Sequence, residues 1–234
     1  MISIGISGKN FWISLTKSEN MTGKLGAATM AEKNYDKQLN IETGPERNIK
    51  PFLNYYPYEP TPYPVLEQLA KKIELKPSDH VVDYGCGKGR LLFYLNAVFG
   101  VNARGIEMDD HLYFLAEKNR LHYLQHRPKS KYQIQFFCMH AEKYIVQPTD
   151  NKFYFFNPFS APIFIKVFNN IMESLEQFNR EVDLIFYYPS IEYLSFLDNR
   201  TIFQLTKEIK IEGEFEHNPN ERILIYSYRK DDHN

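Results

Sequence analysis

The chain has 234 residues, of which 43% are hydrophobic, and this predicts one domain with a full core and room for an appendage. Its formal net charge of −1 creates no overall field that would draw the protein to a nucleic acid or an anionic membrane. A nucleic-acid partner would therefore need a local basic patch.

Cysteine usage and the lack of long apolar runs predict a soluble, cytoplasmic protein. No apolar run reaches the ~20 residues that a membrane-spanning helix needs, and residues 1–15 lack the apolar block of a signal peptide. The two cysteines, Cys86 and Cys138, indicate a reducing compartment, and neither has the spacing of a zinc site. We expect no bound metal and no membrane partner.

The N-terminal part of the chain has little hydrophobic periodicity. We expect residues 1–48 to form an extension with one helix at 30–39 and loose packing elsewhere. Residues 51–64 contain five prolines, which favour an extended or polyproline conformation. The four tyrosines of this Tyr-Pro segment need a surface to pack on, so it is not expected to be a flexible linker.

From Pro64 onward, predicted helices and strands alternate. Helices are predicted at 64–77, 91–99, 110–126, 163–175 and 191–197. Strands are predicted at 81–84, 103–107, 134–138, 153–156, 182–188 and 223–228, with one more before the turn at 217–220. This alternation implies a parallel sheet with right-handed crossovers, and the terminal hairpin adds antiparallel edge strands. The sequence thus predicts an α/β fold with a doubly wound mixed sheet of seven strands.

The turn after the first predicted strand is the most informative segment of the chain. It reads Val-Val-Asp-Tyr-Gly-Cys-Gly-Lys-Gly-Arg from Val81 to Arg90. Glycines let the backbone approach a ligand with no Cβ in the way. A dinucleotide-binding turn has the spacing G-x-G-x-x-G, whereas here the third glycine comes one residue early and Arg90 takes its place. A strand–turn–helix connection without any ligand is the alternative.

This turn resembles motif I of the class I, Rossmann-type, S-adenosylmethionine (SAM) methyltransferases, in which it passes the methionine part of SAM. The resemblance covers about residues 52–230 and implies a Rossmann-like methyltransferase domain over residues 49–234. It also implies SAM as the cofactor. The positions that it places at SAM in this turn are Asp83, Gly85, Cys86 and Gly87.

The ends of the next two strands match other cofactor-binding positions. Glu107 lies 22 residues after Gly85, about the offset expected for an acid that binds the ribose hydroxyls. The alternative is a solvated acid at a helix start. In the family an acid precedes an alanine after the third strand, whereas here His140 precedes Ala141. The resemblance implies that neutral His140 or the Ala141 backbone contacts adenine, and a purely structural histidine is the alternative.

The fourth strand ends in Asn157-Pro158-Phe159, which resembles the Asn/Asp-Pro-Pro-Tyr/Phe motif of methyltransferases acting on planar amino nitrogens. The resemblance implies that the Asn157 side-chain carbonyl and the Pro158 backbone carbonyl accept hydrogen bonds from the target nitrogen. Phe159 would stack on a planar substrate. The second proline of the motif is missing, which weakens the match to adenine or glutamine as the target. A simple turn is the alternative.

The stretch from Tyr58 to Tyr63 lies one helix before the glycine turn. It resembles the Thr-Pro element of adenine amino-methyltransferases and the Tyr-x-x-Thr-x-aromatic pattern of class I histone lysine methyltransferases. The latter carry Asn-Asn-Phe where this chain has Asn157-Pro158-Phe159. The resemblance implies that Thr61 donates to the SAM carboxylate and that Tyr58 closes over the methionine part. A proline-rich wrap with packing tyrosines is the alternative.

These motifs together predict a SAM-dependent N-methyltransferase that acts by direct SN2 transfer. A protein amino group is the first choice of methyl acceptor, followed by a nucleic-acid base and then a small molecule. Residues 1–48 are a candidate for substrate contacts. The competing interpretations are a nucleotide-linked dehydrogenase, which Arg90 and Asn157 disfavour, and a SAM-binding module without catalysis.

Overall fold

A computed structural model describes residues 32–46, 53–127 and 132–230. The helices are α1 (32–39), α2 (Tyr63–Lys72), α3 (Arg90–Phe99), α4 (Asp110–Gln125), α5 (Ala161–Gln177) and α6 (Ile191–Arg200), with a short 3₁₀ helix at Ala141–Lys143. The strands are β1 (His80–Tyr84), β2 (Asn102–Glu107), β3 (Ile134–Cys138), β4 (Lys152–Phe155), β5 (Val182–Tyr187), β6 (Gln204–Lys210) and β7 (Arg222–Tyr228).

The seven strands form one sheet in the order β3-β2-β1-β4-β5-β7-β6. Strands β1 to β5 pair in parallel, and β7 runs antiparallel to both β5 and β6. The predicted seven-stranded mixed sheet with a terminal hairpin is therefore confirmed. The strand order reverses between β1 and β4, which opens a crevice at the carboxyl ends of these strands. Open α/β sheets bind their ligands at such a crevice.

Side chains alternate along the central strands and fill two cores, one on each face of the sheet. On one face, Val81 and Tyr154 pack in a core that includes α2 and α3. On the other face, Val82 and Phe155 pack in a core that includes α5 and α6. Every residue of β4 is buried, as expected for a strand covered on both faces. No helix among the described residues is both long and apolar enough to cross a membrane.

Helix α2 is shorter than the sequence suggested. It was expected to continue to Pro77, but it ends at Lys72 because Ile73 has an extended backbone, with φ −93° and ψ 144°. The Ile73 side chain is buried in the core on the α2 side of the sheet. Ile73 is thus buried at the spacing expected for a helix, although it is not part of the helix.

The described part of the N-terminal extension is anchored to the domain. Its helix was expected at 30–39, and α1 occupies 32–39, while residues 30 and 31 lie outside the described ranges. Tyr35 on α1 stacks on Tyr63, with ring centroids 4.4 Å apart. Loose packing was expected after this helix, yet Thr43 is completely buried. Its contacts are polar, with Asp36 nearby in the chain and with Tyr58 and Arg90 far from it, so hydrophobic periodicity does not reveal them.

Candidate active site

A cleft of about 690 Å³ opens at the carboxyl ends of β1 and β4. This volume is typical of small-molecule and cofactor sites, which span roughly 300–1,000 Å³. The cleft is lined by the Tyr-Pro segment, the turn after β1, the end of β2 and the residues that follow β4 and β5. A narrow pocket of about 20 Å³ shares Tyr58 and Gly85 with the cleft and includes Thr61, Asp83 and Cys86. Most of the predicted site residues are thus brought together.

Close contacts explain two of the glycines in the turn after β1. Gly85 and Gly87 have positive φ angles of 77° and 52°, which side chains with a Cβ rarely adopt. A Cβ on Gly85 would lie 2.7 Å from Cβ of Pro158, and one on Gly87 would lie 2.1 Å from the Tyr58 ring. The turn therefore packs directly against both the Tyr-Pro segment and the segment after β4.

Glu107 joins the end of β2 to the turn after β1. Its Oε2 accepts a hydrogen bond from the Gly87 N–H at 2.9 Å, and its Oε1 accepts one from the Asp109 N–H at 3.0 Å. Burial raises the pKa of Glu107, while these backbone donors act against that rise. Because a carboxylate has about four acceptor positions, Glu107 retains capacity for hydroxyl donors in the cleft that it lines.

Asp83 and Thr61 lie at the narrow pocket beside the cleft. Burial, and then the negative charge of Glu107, raise the pKa of Asp83 to about 8. The Asp83 carboxyl is therefore mostly protonated at neutral pH, and a cation beside it would favour the ionised form. Thr61 Oγ1 lies 2.9 Å from the Tyr154 hydroxyl, and either group can be the donor.

Asn157 follows β4 and has two unusual features. Its φ is 40°, a left-handed conformation for a residue that is not glycine. Its side-chain Oδ1 is buried and has no hydrogen-bond partner among the described residues. Backbone strain and unsatisfied buried polar atoms concentrate at functional sites. The next carbonyl, that of Pro158, already accepts the Tyr56 N–H at 3.1 Å.

Four of the predicted residues, Gly87, Phe159, His140 and Ala141, line neither the cleft nor the narrow pocket. Phe159 is 1% exposed and packs against Tyr55, with ring centroids 5.7 Å apart. His140 is exposed, and its ring centroid lies 6.0 Å from that of Tyr55. Ala141 is buried in the core on the α5 side of the sheet. Tyr55, which contacts both Phe159 and His140, itself lines the cleft.

The sequence analysis missed four aromatic residues that line the cleft: Tyr55 and Tyr56 in the Tyr-Pro segment, and Phe156 and Tyr188. Phe156 and Tyr188 each directly follow the end of a parallel strand. Tyr188 has a positive φ of 50°, and its hydroxyl accepts a hydrogen bond from Asn218 Nδ2 at 2.9 Å. Their positions at the carboxyl ends of β4 and β5 are the signal that would have identified them.

The described part of the Tyr-Pro segment crosses the site and is fixed at Tyr55 and at Tyr58. Tyr55 forms an antiparallel bridge with Phe159, and the Tyr58 hydroxyl donates to the Thr43 carbonyl at 2.8 Å. Tyr55, Tyr56 and Tyr58 line the cleft as well. Packing and cleft formation are therefore combined in one segment. Throughout the described ranges, no three His, Cys, Asp or Glu side chains are grouped so that they could hold a metal ion.

The chain matches a known protein family. The family described as "Histone methylation protein DOT1" matches residues 35–161, which is more than half of the chain. The matched region contains the turn after β1, Glu107 and Asn157. No curated protein matches the chain.

Solved structures of methyltransferases share the fold. The chain is similar to a putative RNA methyltransferase from Pyrococcus horikoshii, with 15% identity, a TM-score of 0.51, and coverage of 85% of this chain and 97% of that one. Mitomycin 7-O-methyltransferase has 10% identity and a TM-score of 0.52 over 70% of this chain, which spans only 53% of that protein. An RNA methyltransferase from Salinibacter ruber, in complex with S-adenosyl-L-homocysteine (SAH), has 16% identity and a TM-score of 0.48, with coverage of 74% and 95%. At these identities the likeness concerns the fold.

Proposed function

Because the chain belongs to the DOT1 family of histone methylation proteins, it is a SAM-dependent methyltransferase, and we propose that it methylates an amino nitrogen of a protein. Family membership confirms the resemblance and the cofactor that the sequence motifs indicated. The observation that carries the proposal is Asn157. Its buried and unpartnered side-chain oxygen belongs to a residue that lines the same cleft as Gly85 and Glu107.

The residues around the cleft fit SAM. We propose that Glu107 accepts the ribose hydroxyls, that Asp83 pairs with the ammonium group and that the Thr61 hydroxyl donates to the carboxylate. Glu107 lines the cleft, whereas Asp83 and Thr61 line the narrow pocket that adjoins it. When bound, SAM supplies an electrophilic methyl group.

The chain's own part in the transfer is to position the acceptor nitrogen. We propose that the acceptor amine first loses a proton to solvent, and that Asn157 Oδ1 then accepts an N–H of the neutral nitrogen, which fixes the direction of its lone pair. The rings of Tyr56, Phe156 and Tyr188 line the cleft. Orientation of this kind contributes up to about 7–11 kcal/mol to a transfer reaction. No covalent intermediate on the enzyme is required.

The charge of the cleft favours a protein acceptor. Glu59, Glu107 and Asp109 line it, and no Lys or Arg is found among its described lining residues. Carboxylates attract a cationic side chain such as lysine and repel the phosphates of a nucleic acid. A nucleic-acid base is therefore the second candidate and an uncharged small molecule the third.

Transfer from radiolabelled SAM tests the proposal. The purified chain is incubated with core histones and total cell protein in one set of reactions, and with RNA and DNA in another. We expect label in protein, with loss of transfer and retention of SAH binding in Asn157→Ala. Asn199→Ala, on the exposed side of α6, is the matched control. Label in nucleic acid alone would contradict the proposed acceptor, and binding of SAH without any transfer would favour a SAM-binding module.

We also propose a cytoplasmic location. Cys86 and Cys138 are both free thiols, which supports a reducing compartment.

A further inference from the structure

Thr43, in the N-terminal extension, has a partner for each of its polar atoms, and its carbonyl and hydroxyl oxygens connect α1 to the cofactor side of the site. Its N–H and its hydroxyl donate to the two carboxylate oxygens of Asp36, at 2.6 Å and 2.7 Å. Its carbonyl accepts from the Tyr58 hydroxyl at 2.8 Å and from Arg90 Nη2 at 3.2 Å. Its Oγ1 also accepts from Arg90 Nε at 2.7 Å. Because Thr43 is completely buried, water cannot replace these partners.

Arg90 holds the other side of this connection. It begins α3, is 5% exposed, and its guanidinium lies 4.5 Å from the ring centroid of Tyr63. One guanidinium nitrogen donates to the Thr61 carbonyl at 3.2 Å and also pairs with Glu32. The planar fork of arginine allows these contacts to be made at once, and the single ammonium of lysine does not.

Thr43 and Arg90 therefore meet both residues of the Tyr-Pro segment that are proposed to face the methionine part of SAM. Tyr58 is held at its hydroxyl by Thr43, and its ring packs against Gly87. Thr61 is held at its carbonyl by Arg90, which leaves its hydroxyl to Tyr154 and the narrow pocket. Thr43 lines neither the cleft nor the narrow pocket, whereas Arg90 lines the narrow pocket together with Thr61 and Asp83.

We propose that Thr43 and Arg90 are positioning residues that fix Tyr58 and Thr61 against the turn after β1. Through them, the N-terminal extension sets the affinity for the amino-acid part of the cofactor. This inference rests on the proposed roles of Tyr58 and Thr61. It gives residues 32–46 a part in cofactor binding, whereas the sequence suggested only substrate contacts for the extension.

Calorimetric titration with two ligands tests the inference. SAH carries the amino-acid part, whereas 5′-methylthioadenosine has the adenosine and the thioether without it. In the full chain, Thr43→Val and Arg90→Lys should each weaken SAH binding by about tenfold or more, because buried bonds to a charged group are lost. Binding of methylthioadenosine should change by less than about threefold, because a positioning defect is confined to the other end of the site.

Matched variants separate positioning from folding. Thr43→Ser keeps the hydroxyl and should retain the SAH affinity of the unsubstituted chain. Thr201→Val, at the C-terminal end of α6, and Arg120→Lys, on α4, make the same substitutions away from the cleft. They should leave the affinities for SAH and for methylthioadenosine unchanged. Far-ultraviolet circular dichroism checks that each variant is folded.

The outcomes distinguish this inference from the proposed function. Equal weakening of both ligands, or no weakening of SAH, would overturn the inference while leaving the function intact. Failure of Thr43→Ser to retain SAH affinity would also overturn it. An unsubstituted chain that binds neither ligand would overturn the proposed function, and the inference with it.

Discussion

Asn157 bears backbone strain and an unsatisfied oxygen in the same residue. A positive φ outside glycine and a buried acceptor without a partner each reduce the free energy of unfolding. A donor N–H from the methyl acceptor would satisfy the oxygen. The residue is thus expected to favour catalysis at the expense of stability.

Asn157→Gly should therefore stabilise the protein while abolishing transfer. Glycine adopts φ 40° without strain and removes the unsatisfied oxygen, so the free energy of unfolding should rise by about 1 kcal/mol. Urea unfolding and radiolabelled transfer are the two measurements. A glycine variant that is less stable than the unsubstituted chain, or that transfers methyl normally, would show that Asn157 has a structural role.

Asp83 should make SAH binding depend on pH. Its pKa is raised to about 8 in the free protein, so below that pH the carboxyl must lose a proton before it can pair with the ligand ammonium. Affinity for SAH should then rise by about an order of magnitude or more between pH 6 and pH 8. Calorimetry in several buffers measures both the affinity and the proton released.

Two controls identify the group responsible for this pH dependence. Methylthioadenosine lacks the ammonium group, so its affinity should be nearly constant over the same range. Asp83→Asn should bind SAH weakly and with no pH dependence between these limits. A steep dependence that survives in Asp83→Asn would assign the titration to another residue.

At the scale of elements, the turn after β1 and the Tyr-Pro segment form one packed unit. Gly87 has a positive φ and no room for a Cβ, whereas Gly213 has a φ of 82° and no described atom within 4 Å of the place where a Cβ would lie. An alanine substitution causes backbone strain at both glycines, but it causes steric overlap only at Gly87. Comparing the two substitutions therefore separates these effects.

Gly87→Ala should lower the free energy of unfolding by about 1–3 kcal/mol more than Gly213→Ala, because the methyl group displaces the Tyr58 ring. It should also weaken SAH binding, while Gly213→Ala should not. Urea unfolding and calorimetry measure the two effects. Equal losses of stability in both variants would mean that Tyr58 moves aside freely and that the segment is loosely held.

Periodicity and turn chemistry were sufficient to predict the helices and the strands, apart from the C-terminal end of α2. They could not locate the Thr43–Arg90 contacts, since these residues are 47 positions apart and are joined only by polar atoms. The resemblance of the motif after β4 also could not predict the orientation of its aromatic ring. Phe159 was expected in the substrate site, but its ring packs in the core with Tyr55 and Phe155.

For the whole molecule, the near-neutral net charge conceals an uneven distribution. The chain carries 28 basic and 29 acidic residues, yet the described lining of the cleft has three carboxylates and no Lys or Arg. Composition alone disfavoured a nucleic-acid partner only weakly. The local charge supports the same preference more strongly, because it acts where the acceptor must enter.

The central claim is that the crevice between β1 and β4 holds SAM and not a nicotinamide dinucleotide. Calorimetric titration of the purified chain with SAH, and with NAD in parallel, tests it most directly. We predict micromolar binding of SAH and no binding of NAD, with SAH binding lost in Asp83→Ala. Binding of NAD, or no binding of SAH by the unsubstituted chain, would contradict the assignment of the site.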